Sequence, residues 1–477
     1  MKTYMDYFEQ LCKIPHGSGN TKRISDFLKK FAEERNLYSR QDAMNNVVII
    51  KEASQGYENH EPVILQGHMD MVAVKTSKCN KNMQEEGLDL FVEDNCLKAR
   101  NTSLGGDDGI AVAYIMAIMD SDVKAPRIEA VITVDEEVGM LGASGIEVND
   151  ITAKRMINID QEEEGVFVVS CAGGAGIDFN IPVRRKEQEG HVFRIELSGL
   201  KGGHSGVDIN KNRGNAIKLM AEVLSEIYKE TGFSLISFDG GDADNAIPNR
   251  VTSEIMVING SASECNDINE KIKEMLDGRR VFLDDGINTD EGIFSVCSIG
   301  YEKRSVFDKK STECLLALLN RHRYGIVAMD EANPDFVKTS LNPGKITTTE
   351  NEVVLLSSVR SSNSAEKQNL IEELCDLAKE LEIDYKVSGV YDGWDYDPDS
   401  KLRELMVSAY EDMFNKKPEL EAIHAGLECG VFASKIEGLD CISIGPDIIN
   451  IHSVNEYLPI DSAQRTYEYL LKVLEIL

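Results

Sequence analysis

Basic charge is scarce in this 477-residue chain. Lys and Arg number 51 against 82 Asp and Glu, a formal charge of −31. Such a surface repels phosphate backbones, so nucleic acid is not an expected partner. Nor is there an uninterrupted apolar run of about 18 residues, which a membrane-spanning helix requires, and no membrane partner is expected. Cysteine pairing signals are missing too. The ten cysteines are scattered, with no C-x-x-C pair and no compact disulfide framework. They read as reduced, mostly buried thiols of a cytosolic protein. The opening MKTYMDYFEQLCKIP mixes polar and apolar residues, unlike a signal peptide. A cytoplasmic location is the resulting expectation.

What is present is globular. The chain is 42% hydrophobic and 28% charged, enough to bury sizeable cores, and its length suggests two domains. Residues 1–36 read as helical with a break at IPHGSGN, after which Ser18 or Asn20 could cap the next helix. NNVVIIK and PVILQ read as strands, DDGIAVAYIMAIMD as a buried helix apolar on nearly every face, and EAVITV and RMINI as strands again. Strands alternating with helices predict an α/β domain with a mixed, largely parallel sheet flanked by helices.

The texture changes at VRRKEQEG, residues 183–190. A strand–helix–strand order begins there with HVFRIELSG, and a roughly similar order recurs through AEKQNLIEELCDLAKEL and IDYKVSG. This predicts an α+β domain, 186–389, inserted into a discontinuous first domain of 1–185 and 390–477. After YDGWDYDPDS the chain returns to helix and buried strand.

Chemistry-bearing residues cluster at strand ends of the first domain. His68 and Asp70 follow PVILQ, and Asp107 and Asp108 open the buried helix. Asp135, Glu136 and Glu137 follow EAVITV, Asp160 ends RMINI, and His452 lies just past CISIGPDIIN. In open α/β sheets ligands gather outside the carboxyl ends of strands. Each cluster alone matches an ordinary strand end or a solvated acidic turn; their joint occurrence gives them weight. Two imidazoles with three or four carboxylates suit zinc, cobalt or manganese rather than magnesium, which takes oxygen ligands. Five ligands are used more economically by two ions sharing one carboxylate than by one crowded ion. Adjacent Glu136 and Glu137 would repel without a cation nearby. One can bind metal while the other stays free as a general base.

Taken in order, H-M-D at 68–70, G-G-D-D-G at 105–109, D-E-E-x-G at 135–139, Asp160 and His452-Ser453 resemble a metallopeptidase family. It is the family of carboxypeptidase G, peptidase T and the aminoacyl-histidine dipeptidases. NIDQEEEGVFVVSCAGG, LKGGHSGVDI, DNAIPNR, SVRSS and AIHAGLECGVF match the last branch, and the resemblance spans essentially the whole chain.

The resemblance implies a zinc-peptidase-like catalytic domain, with the inserted domain as a lid. It implies that Asp107 bridges two divalent ions, zinc foremost with cobalt or manganese as alternatives. His68 and Asp160 would complete one site, and Glu137 and His452 the other. Asp70 would hold the His68 imidazole. Glu136 would take a proton from the water between the ions and deliver it to the leaving amine. His204 in GGHSG would stabilise the oxyanion, from its own subunit or a partner. Asn245, Arg360, Gly426 and Glu428 would face the substrate, Arg360 gripping a peptide carboxylate.

The implied activity is hydrolysis of dipeptides, Xaa-His types including β-alanyl-histidine among them, by a homodimer. An aminoacylase or carboxypeptidase on the same scaffold and a non-catalytic binding protein are the alternatives. A magnesium-dependent phosphatase or nuclease is disfavoured by the two imidazoles and the negative charge. One departure stands out: Val454-Asn455 follows His452-Ser453 where relatives often carry Pro-Asp. His424 reads as structural or pocket-lining, and His16 takes no metal role. His60, His191 and His322 lack partners in the pattern and are expected on surfaces.

Overall fold

The structure is a computed structural model describing residues 2–258, 270–276, 279–284 and 289–477. It divides into two compact units. The first comprises Met1–Cys171, Gly393–Ala422 and Leu427–Leu477; the second comprises Ala172–Asp392 and Ile423–Gly426.

The first unit is built on an eight-stranded mixed sheet. At its centre the strand Val63–His68 runs parallel to Ile128–Thr133 on one side and Arg155–Asn158 on the other. Asp440–Ser443 extends the parallel block, and antiparallel strands flank it. Val63–His68 and Ile128–Thr133 are buried at every position, as expected of central parallel strands covered on both faces. Against them lies Gly106–Met119, the helix predicted to be buried, with no exposed residue along its length. Its approach requires a glycine: a Cβ at Gly67 would lie 2.5 Å from Asp108 Oδ2 and 2.8 Å from Ala111 Cβ. Tyr114 of this helix is buried, and its hydroxyl donates to the Ala463 carbonyl at 2.7 Å, tying it to the carboxyl-terminal helix Ile460–Ile476.

The helix break falls as expected between Tyr4–Leu11 and Lys22–Glu33, but its capping differs. Neither Ser18 nor Asn20 caps the second helix, whose N-cap is Thr21 with no side-chain bond. The Ser18 hydroxyl is drawn instead to Asp70 Oδ2, at 2.8 Å. The hydroxyl proton thus goes to a buried carboxylate, a charge-assisted bond.

The second unit carries a ten-stranded antiparallel sheet. The polar stretch at the texture change opens a long strand, Arg185–Ser198, paired with Val251–Val257 and Thr289–Phe307. Helices Ala216–Thr231, Lys309–Arg321 and Ser364–Glu380 pack their apolar faces into this unit's core.

One histidine expectation is corrected here. His322 is not on the surface but 1% exposed. Its Nδ1 bonds the Arg323 carbonyl at 2.7 Å and its Nε2 pairs with Ser357 Oγ at 3.0 Å. Its sequence neighbours are polar, but the chain turns inward as the helix ends, where Lys218 Nζ donates to the carbonyls of Leu319, Asn320 and His322. Among the described residues no cysteine is disulfide-bonded, and Cys12, Cys171, Cys375, Cys429 and Cys441 are buried. Cys265 lies outside the described residues. No described helix is long and apolar enough to cross a membrane.

Candidate metal centre

The strand Val63–His68 ends by delivering the His68 side chain into a site where it is 1% exposed. Nδ1 meets the Asp70 backbone carbonyl at 3.0 Å, which turns Nε2 toward Asp107 Oδ1 at 3.1 Å and Asp160 Oδ1 at 3.4 Å. The Asp70 carboxylate is farther from the ring, at 3.5 Å. It accepts instead from Ser18 Oγ and, at 3.1 Å, from the Glu136 backbone N–H. Asp70 therefore orients His68 chiefly through its backbone, while its side chain holds the Glu136 loop.

Asp107 sits at the helix start in a non-helical conformation, φ −80° and ψ 108°. Its second oxygen, Oδ2, lies 3.0 Å from His452 Nε2, and the same nitrogen is 2.9 Å from Glu137 Oε2. The arrangement is two-sided: each Asp107 oxygen faces one imidazole, and each imidazole faces one further carboxylate. Asp108 follows across a cis peptide bond. Its Oδ2 accepts from the His68 backbone N–H at 3.0 Å, and it lies within ligand reach of His68 and Asp160. This fourth aspartate was not among the residues the sequence singled out as ligands.

The electrostatics show what the cluster requires. Burial would lower the His68 pKa, but the Asp160 charge and bonds to Asp107, Asp160 and Asp70 lift it well above the usual value. Bonds to Asp107 and Glu137 push His452 up to about 10. Burial raises Glu136 to about 8, helped by the Glu428, Glu137 and Asp107 charges and opposed by His68. Burial likewise raises Asp160 to about 7, with Asp107 and Glu136 adding to it and His68 opposing. Glu137 Oε1 and Asp108 Oδ1 are buried without a hydrogen-bond partner, each costing about 1–3 kcal/mol of desolvation. A desolvated group of carboxylates with orphaned oxygens and two imidazoles fits divalent cations. His68, Asp107 and Glu137 form one group that could hold an ion; His68, Asp108 and Asp160 form another.

Below these lies support in which Glu428, placed toward the substrate by the family resemblance, meets two residues that the sequence did not single out. Glu428 opens the helix Glu428–Lys435 and is 0% exposed. Thr133 Oγ1 donates to it at 2.7 Å, and Gln66 Nε2 donates to the same oxygen. Burial raises its pKa to about 7, with the Asp160 charge adding and His68, Thr133 and Gln66 opposing. Polar residues at core-facing positions of Val63–His68 and Ile128–Thr133 were the available signal for Gln66 and Thr133.

The remaining candidates belong to the second unit. Gly203–His204 pairs with Ala246–Ile247, and Ser205 N donates to the Asn245 carbonyl at 2.8 Å, so GGHSG and DNAIPNR form one structure. His204 Nδ1 accepts from the backbone N–H groups of Gly206 and Val207 at 3.1 and 3.2 Å. The ring proton is thereby assigned to Nε2. Burial lowers its pKa, and the Arg360 charge adds to this. Arg360 is 8% exposed and donates to the Tyr391 hydroxyl at 3.2 Å. His424 pairs with Ser340 Oγ at 2.7 Å through Nε2, and Gly426 lies two residues on. Asn245 is exposed.

Comparison with known proteins gives this geometry a context. The model for peptidase family M20/M25/M40 matches residues 64–476. The chain belongs to this family. It is 33% identical over 475 residues to the cytosol non-specific dipeptidase of Escherichia coli (strain K12), covering 98% of this chain and 96% of that protein. The crystal structure of aminoacylhistidine dipeptidase from Vibrio alginolyticus superposes with a TM-score of 0.90 at 31% identity, covering 99% of this chain and 96% of that one. Aminopeptidase PepT from Bacillus cereus, at 15% identity and TM-score 0.56 over 99% and 97% of the two chains, shares the fold alone. The family and α/β class expected from the sequence both hold for this M20 peptidase, and as such it is a peptide hydrolase.

Proposed function

We propose that this M20 peptidase is a dipeptidase working with two divalent ions, zinc foremost on the chemistry of its donors, cobalt or manganese otherwise. One observation carries the reading: the two oxygens of Asp107 face His68 and His452 separately, at 3.1 and 3.0 Å. In this reading Asp107 is shared, His68 and Asp160 serve one ion, and Glu137 and His452 serve the other. Bound there, the ions would polarise the scissile carbonyl and lower the pKa of the attacking water.

Glu136 is the glutamate left over from ligation. With divalent ions bound beside it the Glu136 carboxyl would be held ionised, and as a carboxylate it accepts a proton from the attacking water and returns it to the leaving amine. Asp70 holds the backbone from which Glu136 projects. His204 offers an Nε2–H to the developing oxyanion, the kind of fixed donor that dominates acyl-transfer catalysis. Arg360 supplies a guanidinium for the peptide carboxylate, with Asn245 and Gly426 as further substrate contacts. The proposal gives the second unit the lid role that the family resemblance implies. Glu428, expected to face the substrate, is assigned by its burial to holding the floor of the metal centre.

Xaa-His dipeptides, β-alanyl-histidine included, are the proposed substrates, and a cytoplasmic homodimer is the proposed state. The two relatives named above, a cytosol non-specific dipeptidase and an aminoacylhistidine dipeptidase, support the substrates and the location, while the dimer rests on the family resemblance alone. A panel of dipeptides, tripeptides and N-acyl amino acids, assayed with added zinc, cobalt or manganese, tests the activity. Cleavage confined to dipeptides supports the proposal. Preference for N-acyl amino acids would make the chain an aminoacylase, and release of carboxyl-terminal residues from longer peptides would make it a carboxypeptidase. Sedimentation of the purified chain tests the dimer.

A further inference from the structure

Two ligands of the metal centre come from separate loops. Asp107 lies at the start of the helix Gly106–Met119, and His452 at the tip of a loop far along the chain. The second loop is closed at its base, where Ile449 and Tyr457 exchange N–H···O bonds of 3.0 Å. His452 is held at φ +56° within it. Glu456 belongs to this loop and is 4% exposed. Its Oε2 accepts from the backbone N–H groups of Leu104 and Gly105 at 2.8 and 3.1 Å, and its Oε1 from Gly106 at 2.7 Å.

N–H groups at a helix start have no helical carbonyl to bond, and Gly105 provides no side-chain cap. One buried carboxylate satisfies all three donors from about 350 residues away. The fit is close. A Cβ at Gly106 would lie 3.3 Å from Glu456 Oε1 and 3.2 Å from Ile448 Cγ2. The next residue in the chain is Asp107.

We propose that Glu456 is a positioning residue: its carboxylate locks the His452 loop onto the loop carrying Asp107 and so fixes the spacing of these two ligands. The inference deepens the two-ion reading and rests on it. A cap that only stabilised the helix would affect the fold without favouring either ligand set. A strut between the two loops bears on the ion shared by Asp107, Glu137 and His452 more than on the one shared by Asp107, His68 and Asp160.

The test is calorimetric titration of zinc, and of cobalt followed by its visible absorption, into the chelator-treated full chain. Glu456→Gln keeps the side-chain volume but turns an amide NH2 toward backbone donors. His452→Ala and His68→Ala identify which ion is which. Tyr114→Phe, which loses a buried bond from the same helix, controls for general destabilisation. The expected result is a loss of about ten- to a hundred-fold in affinity for the ion assigned to His452, with the other ion little changed in E456Q and both unchanged in Y114F. Wild-type affinities in E456Q, or the same selective loss in Y114F, would overturn the inference while leaving the two-ion reading in place. A wild-type chain that takes up no pair of ions would overturn both. Should E456Q fail to fold, Gly106→Ala, which crowds the carboxylate, carries the same expectation and is overturned by unchanged affinities.

Discussion

The backbone N–H of Glu136 donates to Asp70 Oδ1 at 3.1 Å. This bond joins the two most suggestive motifs of the sequence, H-x-D and D-E-E, and shifts the task of Asp70. Its backbone carbonyl, at 3.0 Å, meets His68 Nδ1 more closely than its carboxylate does at 3.5 Å. The side chain is used on Glu136 and Ser18 instead.

Asp70→Asn is therefore expected to lower turnover by about ten- to a hundred-fold, the usual cost of losing a partner behind a metal site. The His68 contact to the backbone survives the substitution, so metal content should fall less than turnover does. Steady-state kinetics beside metal analysis separates the two. Unchanged kinetics would return H-x-D to an ordinary strand end.

Glu136→Gln removes the proposed base while leaving every proposed ligand in place. Turnover should drop by about 10²- to 10⁴-fold, the range for a lost general base, with both ions retained. Near-normal activity in a metal-replete sample would refute the assignment. So would loss of the ions, since that makes Glu136 a ligand.

Much of this centre was legible in the sequence because its parts sit where strand patterns end. A buried apolar run followed by His68, and another followed by Glu136 and Glu137, places side chains at the same sheet edge before any coordinates are known. The buried helix was legible for a similar reason, since an all-apolar stretch has no polar face to expose. What escaped depends on distant approach. Glu428 reaches Thr133 and Gln66 across about 300 residues or more, and Glu456 reaches Leu104 across a comparable span. His322 looked exposed because periodicity reports the face of an element and not where the chain turns after it. Asp108 was masked by its neighbour, since two adjacent aspartates give no local sign of which one points where.

Removing the metal should destabilise the first unit selectively. Glu137 Oε1 and Asp108 Oδ1 have no hydrogen-bond partner, and the carboxylates around them repel one another when ionised. An ion present at a thousand times its dissociation constant adds about 4 kcal/mol. Calorimetry of the whole chain with a chelator should therefore lower the unfolding transition that zinc addition restores. A chelator-insensitive transition in a sample shown to lose its ions would mean the cluster is held together without them.

The second unit should carry its own acid sensitivity, centred on His322. Burial drives its pKa down to about 4, with Lys218 adding to this and the Arg323 carbonyl opposing. The unfolded chain takes up this proton near 6.5, whereas the folded chain resists until about 4. Between those values the unfolded state binds more protons, so stability rises with pH there. The contribution is complete above about pH 6.5 and is lost as pH falls through 4. A shift of this size corresponds to roughly 3 kcal/mol at about 1.36 kcal/mol per pKa unit. His424, lowered to about 3 by burial and then by the Arg360 charge, acts in the same direction. His322→Asn keeps a donor for the Arg323 carbonyl but cannot titrate. Urea unfolding followed from pH 4 to 7 should show a shallower dependence in the variant, by up to one proton and about 1.4 kcal/mol per pH unit. Parallel curves for the two proteins would mean that His322 protonates as readily folded as unfolded, and its buried bonds to Ser357 and Arg323 would then have to give way in acid without loss of the fold.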